Sequence, residues 1–311
     1  MPSIVTVTFN PAIDKSTSVP LLIHEKKLKG TQPVYESGGG GINVARAIRK
    51  LGAEATAIYL AGGYSGITFT KLLAEESIET IVTEIKGNTR ENFVVVETDT
   101  NKQYRFNMPG PKIFEDEWQQ CLRTIEQIKD ATYIVASGSL PEGVPTDIFA
   151  RIATIAQKKN ARLIVDTSGE ALKKALDAGV YLIKPNLTEL SSLLGKEIPI
   201  NGVSNAAREL INKGNCEVIV VSMGNAGAVL VTKELIQQVK PPTVKRKSTV
   251  GAGDSMVAGI TLSLSKNKNL KEAIQYGVAC GTAATMNEGT ELCRKEDADY
   301  LFTLIQKELS I

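Results

Sequence analysis

The chain is poor in the residues that several kinds of chemistry need. Its one histidine, His24, sits in "LLIHEKKLKG", away from any nucleophile motif. Histidine-rich metal sites are therefore excluded, and a Ser-His-Asp triad has no support; an exposed or edge-strand side chain is the plain expectation for it. Four cysteines, Cys121, Cys216, Cys280 and Cys293, form no C-x-x-C pair, a distribution that fits reduced, buried thiols better than disulfides or a zinc centre. No apolar run approaches the roughly 18 to 20 residues of a membrane span. The start "MPSIVTVTFNPAID" lacks the basic leader and long apolar core of a signal peptide, so a cytoplasmic protein without a membrane partner is expected. Charge of one sign is not in excess either, with 36 Lys+Arg against 34 Asp+Glu, which gives no basic field for nucleic acid. Two phosphate-binding fingerprints are also missing. Position 43 of "SGGGGINVARAI" is Asn, which breaks G-x-G-x-x-G, and no G-x-x-x-x-G-K-[ST] occurs. A dinucleotide-dependent oxidoreductase and a P-loop NTPase are thus unsupported.

What is present is a repeat of short β-branched runs followed by segments of helical period. "SIVTVTF" precedes "GINVARAIRKLG", "EATAIYLAG" precedes "SGITFTKLLAEE", and "TYIVASG" precedes "PTDIFARIATIAQKKN". "ARLIVDTS" precedes "GEALKKALDAG", and "CEVIVVSMG" leads to "AGAVLVTK". Such alternation predicts an α/β chain with a parallel sheet covered on both faces. With 42% hydrophobic residues in 311, the core suffices for one large domain or a large domain with an appendage. Residues 15–36 and 88–108 break the pattern, reading as polar, alternating strands with no helix between them. They predict a small sheet that stands off the body as a lid over a site, or else an antiparallel extension of the main sheet. The body is then 1–14, 37–87 and 109–311, helical from about residue 253 onward.

In an open parallel sheet, ligands bind beyond the carboxyl ends of the strands, and the unusual residues fall there. Gly38, Gly39, Gly40 and Gly41 precede a helix whose early residues include Asn43; they let backbone amides approach a ligand, and Asn43 offers both a donor and an acceptor to hydroxyls. A flexible turn is the simpler alternative. In "STVGAGDS", Gly251, Ala252 and Gly253 bring unhindered amides to a helix N-terminus, where partial positive charge favours an anion. Asp254, in the first turn of that helix, is either an N-cap or a general base beside the anion hole. The second choice is the layout phosphoryl transfer needs.

At this point "GGGGINVA", "STVGAGDS", "SGSLP" at 137–141, "KPN" at 184–186 and "VSMGNAG" at 221–227, taken together and in that family's order, resemble the ribokinase-type sugar kinases, specifically the phosphofructokinase B branch. The resemblance runs from about residue 4 to about residue 305. It implies a ribokinase-like three-layer α/β/α body with a small β-sheet lid, often shared across a homodimer, and ATP-dependent phosphorylation of a sugar alcohol. Asp254 would be the base and Gly251, Ala252 and Gly253 the anion hole. Asp14 of "FNPAID", with Gly39, Gly40 and Asn43, would hold the sugar; Ser139, Arg90 and Lys27 would lie near its phosphate, a fitting task for the planar donor set of Arg90. Lys184 would reach the nucleotide phosphates, while Asn186 and Glu189 would organise Mg2+ through water. Without the resemblance, Glu189 reads as a plain helix-start carboxylate. Ser222, Gly224 and Gly227 would lie beside ATP, with Val278 and Thr282 at the adenine. A K+ site would draw on Ser248, Val250, Ala284, Asn287 and Gly289. Here the chain departs from the pattern, carrying Glu291 in "GTELC" where relatives carry arginine, which puts cation binding in question.

The sugar loop narrows the acceptor. Branches acting on fructose 1-phosphate or tagatose 6-phosphate read G-K-G-[IL]-N, whereas Gly40 here replaces that lysine. With "KQYRFNMPG" at 102–110, the all-glycine loop resembles the 6-phosphofructokinases of the branch, although Lys29 stands where those carry arginine. The expected reaction is phosphorylation of fructose 6-phosphate at its 1-hydroxyl, with a tagatose-6-phosphate kinase or 1-phosphofructokinase as alternatives. A non-catalytic sugar-phosphate and ATP sensor is the alternative of another class, against which an intact "GAGD" argues, since a sensor needs no base.

Overall fold

The structure, a computed structural model, describes residues 3–308. In chain order the strands are β1 (Ser3–Thr8), β2 (Ala12–Val19), β3 (Val34–Gly38), β4 (Thr56–Ala61), β5 (Glu79–Glu84), β6 (Arg90–Glu97), β7 (Gln103–Phe106), β8 (Ala131–Ser137), β9 (Arg162–Asp166), β10 (Val180–Ile183), β11 (Cys216–Ser222), β12 (Ala228–Val231) and β13 (Ile236–Val239). The helices are α1 (Gly40–Lys50), α2 (Gly63–Glu75), α3 (Glu115–Gln127), α4 (Ile148–Lys158), α5 (Gly169–Ala178), α6 (Leu187–Leu194), α7 (Val203–Asn212), α8 (Ala252–Ser265), α9 (Leu270–Thr285) and α10 (Lys295–Glu308).

Nine strands form the main sheet in the order β13-β12-β11-β10-β9-β8-β1-β4-β5. Alternate residues of its strands point to opposite faces, so Ile164 enters one core with α1, α2, α8, α9 and α10, while Leu163 and Val165 enter a second with α3, α4, α5, α6 and α7. This is the expected three-layer body. The sheet is not wholly parallel, however: β11–β12 and β12–β13 pair antiparallel. The link Met223–Gly227 is too short for a crossover, which takes a dozen or more residues, so the chain turns straight back.

A second sheet has the order β3-β2-β6-β7. It covers the two segments that interrupt the α/β pattern, although β2 already begins at Ala12 and β3 continues to Gly38, so Asp14 lies within a strand of it. Residues 20–33 hold no strand; Pro20, Gly30 and Pro33 deny that stretch a regular ladder. The register sorts the two faces. Asp14 stands opposite Glu36 and Asn92, with Arg105 on the same face one row along. The other face carries Tyr35, Lys15, Phe93 and Phe106 in one cross-strand row.

All four cysteines are free and buried, as expected, and His24 is exposed in a turn. Among the described residues no helix is long and apolar enough to cross a membrane.

Candidate active site

The helix α8 starts at the carboxyl side of the main sheet, capped by Gly251 at φ 68°, a left-handed conformation that glycine adopts without strain. Its first helical bond runs from the Ser255 amide to the Gly251 carbonyl at 2.8 Å, so the amides of Ala252, Gly253 and Asp254 have no partner inside the helix. Asp254 is not the N-cap, and its side chain caps nothing. Instead its Oδ2 accepts a hydrogen bond from Asn43 Nδ2 at 2.9 Å, which joins the glycine-rich turn before α1 to "GAGD". Burial pushes the Asp254 carboxyl up to about 6, helped by the nearby Asp166 charge and opposed by the Asn43 bond and Lys184.

Lys184 follows β10 and is buried; its Nζ lies 3.2 Å from Asp166 Oδ1 at the end of β9. It also stands over the start of α8, since a Cβ built on Gly253 would come within 3.4 Å of Nζ. Burial alone would pull the ammonium down, but Asp166, Asp254 and Glu189 together hold it above its ordinary value, so it stays a cation at the helix N-terminus. Asp166 was missed in the sequence. Its place at the carboxyl end of a parallel strand was the available signal.

Asn186 and Glu189 do form the N-terminal bonds of α6. The Asn186 amide donates to Glu189 Oε2 at 2.8 Å and the Glu189 amide to Asn186 Oδ1 at 2.9 Å, a capping box. Among the described residues Glu189 Oε1 accepts no hydrogen bond, and the charges of Asp166 and Lys184 act on the carboxylate. Burial raises the Glu189 carboxyl. Among the described residues no three acidic, histidine or cysteine side chains converge as a metal cage. One carboxylate oxygen beside a buried lysine fits Mg2+, which keeps several waters and takes further oxygens from phosphates.

At the other end, Asp14 Oδ1 accepts from Asn92 Nδ2 at 2.8 Å. Burial lifts the Asp14 carboxyl, against the pull of Asn92 and Arg90. The Arg90 guanidinium donates to the Met108 carbonyl at 3.2 Å and the Asn10 carbonyl at 3.0 Å. Ser139 Oγ accepts from Asn10 Nδ2 at 3.1 Å. The loop bearing Ser139 is tied down by Gly138 N to the Asp166 carbonyl at 3.0 Å and by Thr167 Oγ1 to the Gly138 carbonyl at 2.9 Å. Gly40 lies directly beneath it: a Cβ there would come 2.6 Å from the Gly138 nitrogen and 2.7 Å from the Ser137 carbonyl carbon. No side chain of any kind fits at position 40 unless that backbone moves. Asn10, Asn92 and Arg105 were not anticipated as members of this group; Arg105 lies close enough for the Asp14 charge to act on it. Lys27 is not brought to it within one chain. It is exposed in the irregular stretch 20–33, as is Lys29.

A cavity of about 410 Å³ opens on the far side of the α8 N-terminus. Ser222, Gly224, Gly227, Val278 and Thr282 all line it, with Ala252 and Gly253 at one end and Pro241, Val244 and Met256 along an apolar wall. Of the five positions read as a cation loop, Ser248, Val250 and Gly289 are joined directly, and the Ser248 amide reaches the Thr285 carbonyl at 3.3 Å, next to Ala284 in the chain. Ser248 Oγ donates to the Gly289 carbonyl at 2.8 Å, the Val250 amide donates to Ser248 Oγ at 3.2 Å, and the Asn287 amide donates to the Ala284 carbonyl at 3.3 Å. Backbone carbonyls and a hydroxyl are the donor set a weakly hydrated monovalent cation takes. Glu291 accepts from Arg294 at 2.8 and 3.0 Å, which occupies both of its carboxylate oxygens.

The free amides that open α8, a buried carboxyl raised to about 6, a buried lysine and a cavity of about 410 Å³ thus lie side by side. The profile of the pfkB family carbohydrate kinases matches residues 7–297. The chain is 45% identical to the ATP-dependent 6-phosphofructokinase isozyme 2 of Escherichia coli (strain K12), over 99% of this chain and 100% of that one. It is 34% identical to the 1-phosphofructokinase of Bacillus subtilis (strain 168), over 93% and 95%. Two crystal structures of Escherichia coli phosphofructokinase-2, one in complex with potassium and one with fructose-6-phosphate, match at TM-scores of 0.95 and 0.93 and identities of 45% and 44%, each covering 98% of this chain and 100% of that one. A site assembled in this way, on this fold and at these identities, places the chain in the pfkB family of carbohydrate kinases, ATP-dependent enzymes that act on sugars.

Proposed function

We propose that this chain transfers the γ-phosphoryl group of ATP to the 1-hydroxyl of fructose 6-phosphate, giving fructose 1,6-bisphosphate and ADP. The observation that carries the reading is Asp254: a carboxyl raised to about 6, fixed by Asn43, beside the unpaired amides that open α8. Asn43 orients the carboxylate, Asp254 takes the proton of the attacking hydroxyl, and the amides of Ala252 and Gly253 stabilise the charge developing on the transferred group. Asp14 and the backbone of Gly39 and Gly40 hold the sugar, with Arg90 and Ser139 at its phosphate. ATP occupies the 410 Å³ cavity, its phosphates directed to Lys184. Mg2+, associated with Glu189, supplies charge neutralisation on those phosphates when bound. K+ would be held by the carbonyls of the 248–250 and 284–289 segments.

The small sheet serves as a cover that excludes water from the transfer. Its outer row leaves Tyr35, Phe93 and Phe106 44%, 44% and 48% exposed around Lys15, an apolar face suited to a second copy of the chain. The chain would then act as a homodimer through this sheet, with Lys27 completing the partner's phosphate site rather than its own.

The space under Ser137 and Gly138 favours fructose 6-phosphate over fructose 1-phosphate and tagatose 6-phosphate, because the lysine of the other branches cannot enter there. The test is ADP release by the purified protein with Mg-ATP and each of the three sugars, compared as kcat/KM. A clear lead for fructose 6-phosphate is expected; a lead for another sugar overturns the substrate assignment, and no release with any of them overturns the kinase reading.

A further inference from the structure

Glu36, on β3, stands opposite Asp14 in the register of β2 and β3. Its Oε2 accepts the hydroxyl proton of Thr290, 254 positions away in the chain and only 6% exposed. Among the described residues this is the one hydrogen bond between the small sheet and residues 287–292. A carboxylate acceptor makes it stronger than a bond between neutral groups.

The two ends of that bond belong to different parts of the site. Beyond Thr290, the Gly289 carbonyl accepts from Ser248 Oγ at 2.8 Å, and Ser248 Oγ accepts from the Val250 amide at 3.2 Å. The Leu292 side chain lies on Gly251, where an added Cβ would collide with it. Gly251 caps α8, so this turn backs the amides that open the helix. Beyond Glu36 lies Asp14, on the sugar side. Arg46 Nη2 holds the other oxygen of Glu36 at 3.4 Å, so the carboxylate keeps a cation whether or not Thr290 reaches it. The Thr290 hydroxyl is thus a link between two parts that are each held without it.

We propose that Thr290 is a positioning residue which, through Glu36, couples the sugar and nucleotide ends of the site, so that filling either one raises the affinity of the other. The inference rests on the kinase reading above, in which Asp14 holds the sugar and the start of α8 receives the transferred group. A sugar that fixes Asp14 fixes its cross-strand partner Glu36, and Glu36 then fixes Thr290 and the turn behind Gly251. A nucleotide that orders that turn acts in the reverse direction. Such coupling is reciprocal: the factor by which sugar tightens nucleotide equals the factor by which nucleotide tightens sugar.

The experiment compares wild type, Thr290→Val and Thr290→Ser by calorimetric titration without turnover. Valine keeps the shape and loses the hydroxyl, whereas serine keeps the hydroxyl. The probes are fructose 6-phosphate and a non-hydrolysable ATP analogue with Mg2+, each titrated alone and with the other saturating. Wild type and Thr290→Ser should show mutual tightening of at least about fivefold, the lower end of ordinary coupling between sites. Thr290→Val should bring it below about twofold, with each ligand alone binding within about threefold of wild type. A merely structural role would weaken each ligand alone and leave the ratio unchanged. That outcome, a wild-type ratio retained in Thr290→Val, or no mutual tightening in the wild type overturns the proposal. If Thr290→Val does not fold, Thr290→Ala decides by the same ratio. Should the wild type prefer another sugar phosphate, that sugar replaces fructose 6-phosphate, so the acceptor assignment can fail while this inference stands. Failure of the ATP analogue to bind at all overturns the kinase reading and this inference with it.

Discussion

The two sheets solve different problems. The nine-stranded sheet is buried on both faces, and its chemistry stands only at its edge, where Asp166, Lys184 and the start of α8 emerge from packed strands and helices. In the four-stranded sheet the chemistry lies on the face itself: Asp14, Asn92 and Arg105 share one side, and the opposite side leaves aromatic rings uncovered. A group at a strand end inherits the rigidity of the core beneath it, whereas a group on a thin sheet depends on whatever covers that sheet. Turnover should therefore be set by the large sheet, and affinity for the sugar by the small one.

The largest effect should come from Asp254→Asn. Removing the base should lower kcat by about 10³-fold, within the 10²–10⁴-fold range of general base catalysis, with the affinity for ATP nearly intact by titration. Normal turnover would break the comparison at its strongest point. The same residue gives a pH profile: kcat/KM should rise through about pH 6 as Asp254 ionises. Stability should run the other way. Its carboxyl titrates above the ordinary 3.8 in the folded protein, so as pH rises from about 4 to about 6 ionisation costs the fold more than the unfolded chain. Asp254→Asn should then be the more stable protein at pH 8, by up to ~3 kcal/mol, and lose that advantage at pH 4 in denaturant titrations.

Asp14→Ala should instead raise the KM for the sugar by about 100-fold, the loss of a charged hydrogen bond of ~2–3 kcal/mol, with a much smaller change in kcat. An equal fall in kcat would erase the division of labour between the sheets. Phe93→Glu, on the aromatic face, should convert the proposed dimer to monomer in sedimentation velocity, with sugar affinity falling alongside. Gly40→Ala probes the seam between the sheets: with the Gly138 nitrogen 2.6 Å from the new Cβ, it should raise the sugar KM about tenfold and leave the ATP KM alone. The smallest effect is expected of Glu291→Ala. Because Glu291 faces Arg294, the dependence of activity on K+ should not change.

The same contrast explains what could be read without coordinates. The body was legible because β-branched runs and helical periods are local signals, and "GAGD" announces its job through three small residues and an acid in sequence. The antiparallel edge at β12 and β13 was not read, because the short link after β11 was not weighed against the length a crossover demands. Asp166, Asn10, Asn92 and Arg105 escaped for another reason. Each is an ordinary polar residue until topology sets it opposite a partner far along the chain, as Asn92 beside Asp14 or Asp166 beside Lys184. The strands of the small sheet were set apart by their polarity, but not the irregular stretch between β2 and β3, nor that Asp14 belongs to that sheet. Arg46 shows the same limit. Nothing in "GINVARAIRKLG" marks it, yet it is 4% exposed and bound to Glu76 at 2.7 and 2.9 Å and to the Ser37 carbonyl at 2.6 Å, pinning β3 to the body.

The helix α8 is buried along its entire length after the first turn, from Ser255 through Ser265, wedged between α1 and α9. It has no solvent side on which to tilt. The amide dipoles at its start are consequently aimed before any ligand arrives, and charge building up there in the proposed reaction would meet partners that need not turn to face it. In water that turning is most of the barrier to moving charge; in this molecule its cost is met once, when the chain folds.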